Sequence, residues 1–168
     1  MRAPTDAELD AAARELGRAL TERGWQMAAA ESCTGGLVGH VITQVPKASD
    51  HFLGGIVSYS DEIKKDLLGV PADLLDSVGA VSSEVAAAMA RGALARFDPA
   101  HVTVAVTGIA GPDGGSPDKP VGLTFIAGAL RDGATTVERH VWPFDRDGNK
   151  RASALAALRL ASRVVSEA

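Results

Sequence analysis

The stretch Trp25-Gln26-Met27-Ala28-Ala29-Ala30-Glu31-Ser32-Cys33-Thr34-Gly35-Gly36-Leu37-Val38-Gly39-His40-Val41-Ile42-Thr43-Gln44-Val45-Pro46 decides the fold. Trp25 to Ala30 is short and apolar, the pattern of a buried strand. Ser32 to Gly36 is a cluster of small residues. Leu37, Val38, Val41, Ile42 and Val45 then recur at helical spacing until Pro46 stops them. A buried strand that hands over to a helix within a few small residues is the building unit of a parallel α/β sheet.

The flanking chain repeats this alternation. Upstream, Thr5 with Glu8 forms a capping-box pattern, Leu9, Ala13, Leu16 and Leu20 share one helical face, and Gly24 supplies the stop. Downstream, a strand is predicted over Phe52 to Tyr59, a short helix over Asp61 to Leu68 and a helical turn over Ala72 to Ser77. Ser82 caps a longer helix that points Val85, Met89, Ala93 and Phe97 inward. His101 to Thr107 reads as a third strand. Val121 to Leu130 and Thr135 to Trp142 read as an antiparallel hairpin about the turn Arg131-Asp132-Gly133. A last helix is expected from Asp147 to Ser166, with Leu155, Leu158, Ala161 and Val165 inward. The order predicts one α/β domain over residues 1–168, a mixed sheet of about five strands with helices on both faces. No repeat, low-complexity tract or interdomain linker interrupts it.

Composition narrows the function. The chain has 168 residues, enough for one core. Aromatic residues make up only 4%, so Ala, Val and Leu must fill that core. The formal net charge of −4 argues against nucleic-acid binding over a broad basic face. The single cysteine, Cys33, cannot form an internal disulfide, and His40, His51, His101 and His140 lack ligand spacing, so no metal is expected. There is no signal-peptide pattern at Met1 to Asp6 and no membrane-length apolar run, which points to a cytoplasmic protein with no membrane partner.

Four constellations could carry chemistry. Ser32 stands at the head of a helix, where unpaired N–H groups and the helix dipole supply oxyanion donors, and Gly35 and Gly36 allow close approach to the backbone. Ser32 and Thr34 are also common cap residues, and by local physics alone the cap is the plainer reading. The esterase nucleophile elbow is absent, because Ala30 and Thr34 stand where glycines are needed. Cys33 competes as nucleophile, since a helix N-terminus lowers a thiol pKa, although a small buried apolar cysteine is the plainer reading. Second, Lys64 follows the Phe52–Tyr59 strand. Held away from water it could serve as base for a serine, or it could belong with Lys65 to a solvated helix face. Third, Thr107-Gly108-Ile109-Ala110-Gly111-Pro112-Asp113-Gly114-Gly115-Ser116-Pro117-Asp118-Lys119-Pro120-Val121-Gly122 is a glycine-rich loop suited to a phosphate or ribose, without the Gly-Lys-Ser/Thr of a Walker motif. Fourth, Arg146, Lys150 and Arg151 crowd a helix start that prefers negative charge. They either hold an anion or pair with Asp145 and Asp147.

Taken together these segments resemble the CinA C-terminal domain family, the nicotinamide-nucleotide amidohydrolases, from about Leu9 to Leu160. The resemblance rests on Ala30-Glu31-Ser32-Cys33-Thr34-Gly35-Gly36, Tyr59-Ser60 through Lys64, Leu68-Gly69-Val70, Gly79-Ala80-Val81-Ser82, Thr107 through Gly115 and Lys119-Pro120-Val121-Gly122. It implies a metal-free, cofactor-free hydrolysis of nicotinamide mononucleotide to nicotinate mononucleotide and ammonia. It also implies a nucleophilic Ser32 assisted by Tyr59 and Lys64. The substrate would be held by Glu31, Cys33, Thr34, Gly35, Gly36, Thr107, Gly108, Ile109, Ala110, Gly111, Gly114 and Gly115, with Lys119 or Arg146 at the phosphate. Many relatives carry a larger domain ahead of this one, and the chain resembles the stand-alone form. A homodimer is expected through the alanine-rich last helix. The alternative to an enzyme is a non-catalytic pyridine-nucleotide-binding module acting with a partner protein.

Overall fold

A computed structural model describes residues 1–168. Helix α1 (Asp6–Arg23) opens with the expected reciprocal Thr5–Glu8 capping box and closes on Gly24 in the left-handed region. Then follow β1 (Met27–Glu31), α2 (Leu37–Gln44), β2 (Phe52–Val57), α3 (Asp61–Leu68), α4 (Ala72–Val78), α5 (Ser83–Arg96) and β3 (Val102–Gly108). The hairpin β4 (Leu123–Leu130) and β5 (Thr135–Val141) leads into α6 (Arg146–Glu167). Every predicted element is present, with ends displaced by a residue or two for most of them.

The five strands form one mixed sheet in the order β2-β1-β3-β4-β5. Strands β2, β1 and β3 run parallel, while β4 and β5 complete the sheet antiparallel. The alanines of β1 alternate between two cores. Met27 and Ala29 join α1, α2 and α6 on one face, and Ala28 and Ala30 join α3, α4 and α5 on the other. Alanine suits this double burial because helices approach a strand closely over a small side chain. Where α5 crosses the end of α3, Gly92 is required, since a Cβ there would lie 1.8 Å from the Leu68 carbonyl oxygen.

The alanine-rich α6, expected to face another subunit, is used within the chain. Ala154, Ala157 and Ala161 are fully buried, and the helix packs on α1, α2, β3 and β4. Phe97, expected as an inward helical residue, instead forms the C-cap of α5 and is only partly buried.

Adjacent parallel strands β1 and β2 send their following helices to opposite faces, α2 to one and α3 to the other. That divergence opens a crevice at the carboxyl ends of the strands, the usual place for a site in such sheets.

Candidate active site

Ser32 follows directly on β1. Its N–H continues the ladder to the Val106 carbonyl, so the serine is fixed by the sheet. Helix α2 does not begin until Leu37, and its N-cap is Gly36, in the left-handed region and without a capping side chain of its own. Neither Ser32 nor Thr34 is the cap. That part is taken by Glu31, buried to 2% exposure. Its Oε2 accepts from the Thr34 hydroxyl (2.7 Å) and from the N–H groups of Gly36 (3.0 Å) and Val38 (3.1 Å), while Oε1 accepts from Gly39 N–H (2.9 Å). The carboxylate thus occupies the positive end of α2. Gly35 N–H is spent on the Ser32 carbonyl. Two N–H groups of the turn, those of Cys33 and Thr34, are left without a partner. The N–H groups of this turn that remain free to donate therefore narrow to these two.

Lys64 is the second pillar. It lies on α3 but is 1% exposed, because its side chain turns under the end of β2. Its Nζ is 3.1 Å from Ser32 Oγ, 2.9 Å from the Ser58 carbonyl oxygen and 3.1 Å from the Tyr59 carbonyl oxygen. A neutral amine has two N–H donors and one lone pair. In that neutral form, with the donors on the two carbonyls, the lone pair would face the serine hydroxyl, the geometry of a general base. Burial pushes the lysine below its ordinary range, opposed by the Asp61 carboxylate 3.9 Å away. The solvated-face reading of Lys64 is excluded. Lys65 does face solvent and pairs with Glu62.

Tyr59, expected to assist Ser32 with Lys64, meets the lysine through its backbone. Its backbone carbonyl holds Lys64, whereas its phenol is 62% exposed at the rim and lies 3.4 Å from Arg146 Nη2. The phenol has no hydrogen bond to the lysine, so the structure offers it no place in a proton relay. Cys33 is buried, and burial pushes its thiol up to about 12, so it is not a thiolate at neutral pH.

A cavity of about 270 Å³ opens over this pair. Of the anticipated residues, Ser32, Cys33, Tyr59, Lys64, Thr107, Gly108, Ile109, Ala110, Gly111, Gly114 and Arg146 line it. Glu31, Thr34, Gly35, Gly36, Gly115 and Lys119 do not. The first four build the turn behind the serine. Lys119 instead donates to the Val78 carbonyl at the C-terminal end of α4, where a cation complements the helix dipole. The basic cluster at the start of α6 also divides. Arg146 reaches the cavity and donates to the Gly111 carbonyl (2.7 Å), while Arg151 turns away to Pro4 and Asp6. Asp145 pairs with none of the cluster. It caps α6 by accepting from Gly148 N–H.

Sequence reasoning missed Asp61 and Asp113, which add carboxylates to the cavity wall, and Asn149, which is buried and donates to the Ala110 carbonyl at 3.0 Å. The available signal for Lys64 was its spacing four residues before Leu68, which puts both on the one buried face of α3. No cluster of three or more His, Cys, Asp or Glu side chains is arranged to hold a metal ion, and no helix is long and apolar enough to cross a membrane.

This mixed-sheet α/β domain brings a serine and a buried lysine into contact at the carboxyl ends of its parallel strands. The chain belongs to the CinA C-terminal domain family, whose model matches residues 9–165. It is 48% identical over 139 residues to a CinA-like protein of Akkermansia muciniphila, covering 83% of this chain and 33% of that protein. It is 47% identical over 153 residues to a CinA-like protein of Geobacter sulfurreducens, covering 91% and 36%. The chain thus spans about a third of the length of the curated relatives it matches. Among solved structures, the competence/damage inducible protein CihA from Agrobacterium tumefaciens is 36% identical, with 99% of each chain covered and a TM-score of 0.90. A CinA superfamily protein from Klebsiella pneumoniae is 28% identical, with 95% of this chain and 99% of that one covered and a TM-score of 0.90.

Proposed function

We propose that the chain deamidates nicotinamide mononucleotide to nicotinate mononucleotide, with Ser32 as nucleophile and Lys64 as base. The observation that carries this reading is the buried amine with two carbonyl acceptors and its remaining position aimed at Ser32 Oγ. In the first half-reaction Lys64 takes the hydroxyl proton while Oγ attacks the carboxamide carbon. The carbonyl oxygen gains negative charge beside the unpaired N–H groups of Cys33 and Thr34. Loss of one such donor typically costs about 3–4 kcal/mol of transition-state stabilisation. The lysine ammonium then gives its proton to the departing nitrogen, and ammonia leaves an ester on Ser32. In the second half, Lys64 takes a proton from water, hydroxide attacks the ester, and Ser32 leaves with that proton.

Arg146 fits the phosphate, because its guanidinium stands at the cavity rim and is held by the Gly111 carbonyl. Lys119 is already engaged at α4 and leaves that role to Arg146.

The test is ammonia release from nicotinamide mononucleotide by the purified protein, compared with Ser32→Ala. Release by the parent protein and its loss in Ser32→Ala support the reading. Saturable nucleotide binding with no ammonia release by the parent would favour a binding module that acts with a partner protein. Undiminished release by Ser32→Ala would end the serine mechanism.

A further inference from the structure

Strand β5, helices α1 and α6 and the N-terminal segment line a second, open pocket of about 570 Å³ that shares no residue with the Ser32 cavity. Its size falls in the range of small-molecule sites, about 300–1000 Å³. The apolar part of its wall is Met1, Trp142, Phe144, Ala152, Leu155 and Ala156. The His140 ring stacks on Trp142 with centroids 4.5 Å apart and planes within 10°. Three guanidinium groups, Arg2, Arg159 and Arg163, stand around it.

Two of these cations are neutralised in place. Arg2 donates to both carboxylate oxygens of Glu8, and Arg163 pairs with Glu138, which also takes the His140 Nε2 contact at 3.0 Å. Arg159 has neither a hydrogen bond nor an ion pair, although it sits one turn beyond Leu155 and Ala156 on α6. An aromatic wall beside one uncommitted guanidinium is complementary to a flat ring that carries a carboxylate, because the ring covers the apolar surface and the planar fork of Arg grips the carboxylate.

The wall is also bonded to the loop of the first site. Trp142 N–H donates to the Gly122 carbonyl at 3.0 Å, and Gly122 N–H donates to the Ile109 carbonyl at 2.8 Å. Phe144 N–H donates to Asn149 Oδ1 at 3.1 Å, and the same Asn149 holds the Ala110 carbonyl. A ligand that shifts Trp142 or Phe144 therefore acts on residues that carry Ile109 and Ala110 in the wall of the Ser32 cavity.

We propose that this cavity binds a small planar aromatic carboxylate, with Arg159 as its anion-holding residue, and that occupancy is transmitted to the glycine-rich loop. The inference is independent of the reaction assigned to Ser32. It is tested with the full chain, 15N-labelled, titrated with 1-naphthoate and with neutral 1-naphthamide while the two indole N–H signals and the backbone amides are followed. The expected result is a saturable shift of the Trp142 indole but not of Trp25, with accompanying shifts at Gly122 and Asn149. Naphthamide should bind about fivefold or more weakly, and Arg159→Gln, an exposed change, should erase that preference. Absence of a saturable shift overturns the proposal. So do equal affinities for the two probes, an unchanged preference in Arg159→Gln, or self-association that covers Trp142 and blocks the probe. Shifts confined to the second cavity, with Gly122 and Asn149 silent, overturn the transmission.

Discussion

Replacing Glu31 separates its structural load from its charge. The carboxylate accepts four hydrogen bonds, three at Oε2 and one at Oε1, from the Thr34 hydroxyl and the first N–H groups of α2. In Glu31→Gln the amide oxygen can keep the three donors at the Oε2 position, now without charge assistance. The NH₂ group must then face Gly39 N–H, donor against donor. One bond is lost and three weaken, a cost of about 2 kcal/mol. In Glu31→Ala all four donors lose their partner. Gly36 and Gly39 are only partly buried and can turn to water, but Thr34 and Val38 are at 1% and 0% exposure. Two buried unsatisfied donors at about 1–3 kcal/mol each give a loss near 4 kcal/mol. Urea unfolding followed by far-ultraviolet circular dichroism reads both values. A loss below about 1 kcal/mol for Glu31→Ala, or equal losses for the two variants, would refute the account of Glu31 as the cap of α2.

Lys64→Met should change the pH dependence of stability. Burial holds the folded-state lysine below its unfolded value near ~10.4, so between the two values only the unfolded chain binds the proton. The stability of the parent relative to Lys64→Met should therefore rise with pH through that window and level off above it, and a flat difference would contradict a depressed lysine. Asp61→Asn removes the carboxylate that partly restores the ammonium, so the acid limb of the rate profile should move to lower pH. An unmoved limb would mean that Lys64 is not the titrating base. Tyr59→Phe keeps the backbone carbonyl that holds Lys64 and loses only the rim contact with Arg146, so stability should change by less than about 0.5 kcal/mol. For the same variant KM should change more than kcat, and a collapse of kcat would put the phenol in the chemistry.

Periodicity made the fold legible. Helix α3 could be placed from Asp61 to Leu68 because Gly69 and Pro71 close it, both local signals. Strand ends slipped because registers are set by neighbours. β1 extends to Glu31 since that residue pairs with Val57 and Val106, partners that lie far away in the chain. Glu31 was hidden as a cap for a related reason. A capping residue is normally sought at the N-cap position, and here the carboxylate reaches forward from the strand, five residues before Gly36. Lys64 looked solvated because charge normally means exposure. Its burial follows from two backbone carbonyls, of Ser58 and Tyr59, that have no side-chain signature. The same blindness to backbone acceptors misplaced Lys119, whose partner is the Val78 carbonyl.

The measurement that bears most directly on the central claim is the identity of the residue acylated during turnover. The protein would be mixed with nicotinamide mononucleotide, quenched in acid within the first turnovers, digested, and its peptides mapped by mass spectrometry. The account predicts a pyridine-mononucleotide ester on Ser32 that accumulates with the first ammonia released, stays on Ser32 in Cys33→Ala and is absent from Lys64→Met. A thioester on Cys33, or rapid ester formation in Lys64→Met, would contradict it.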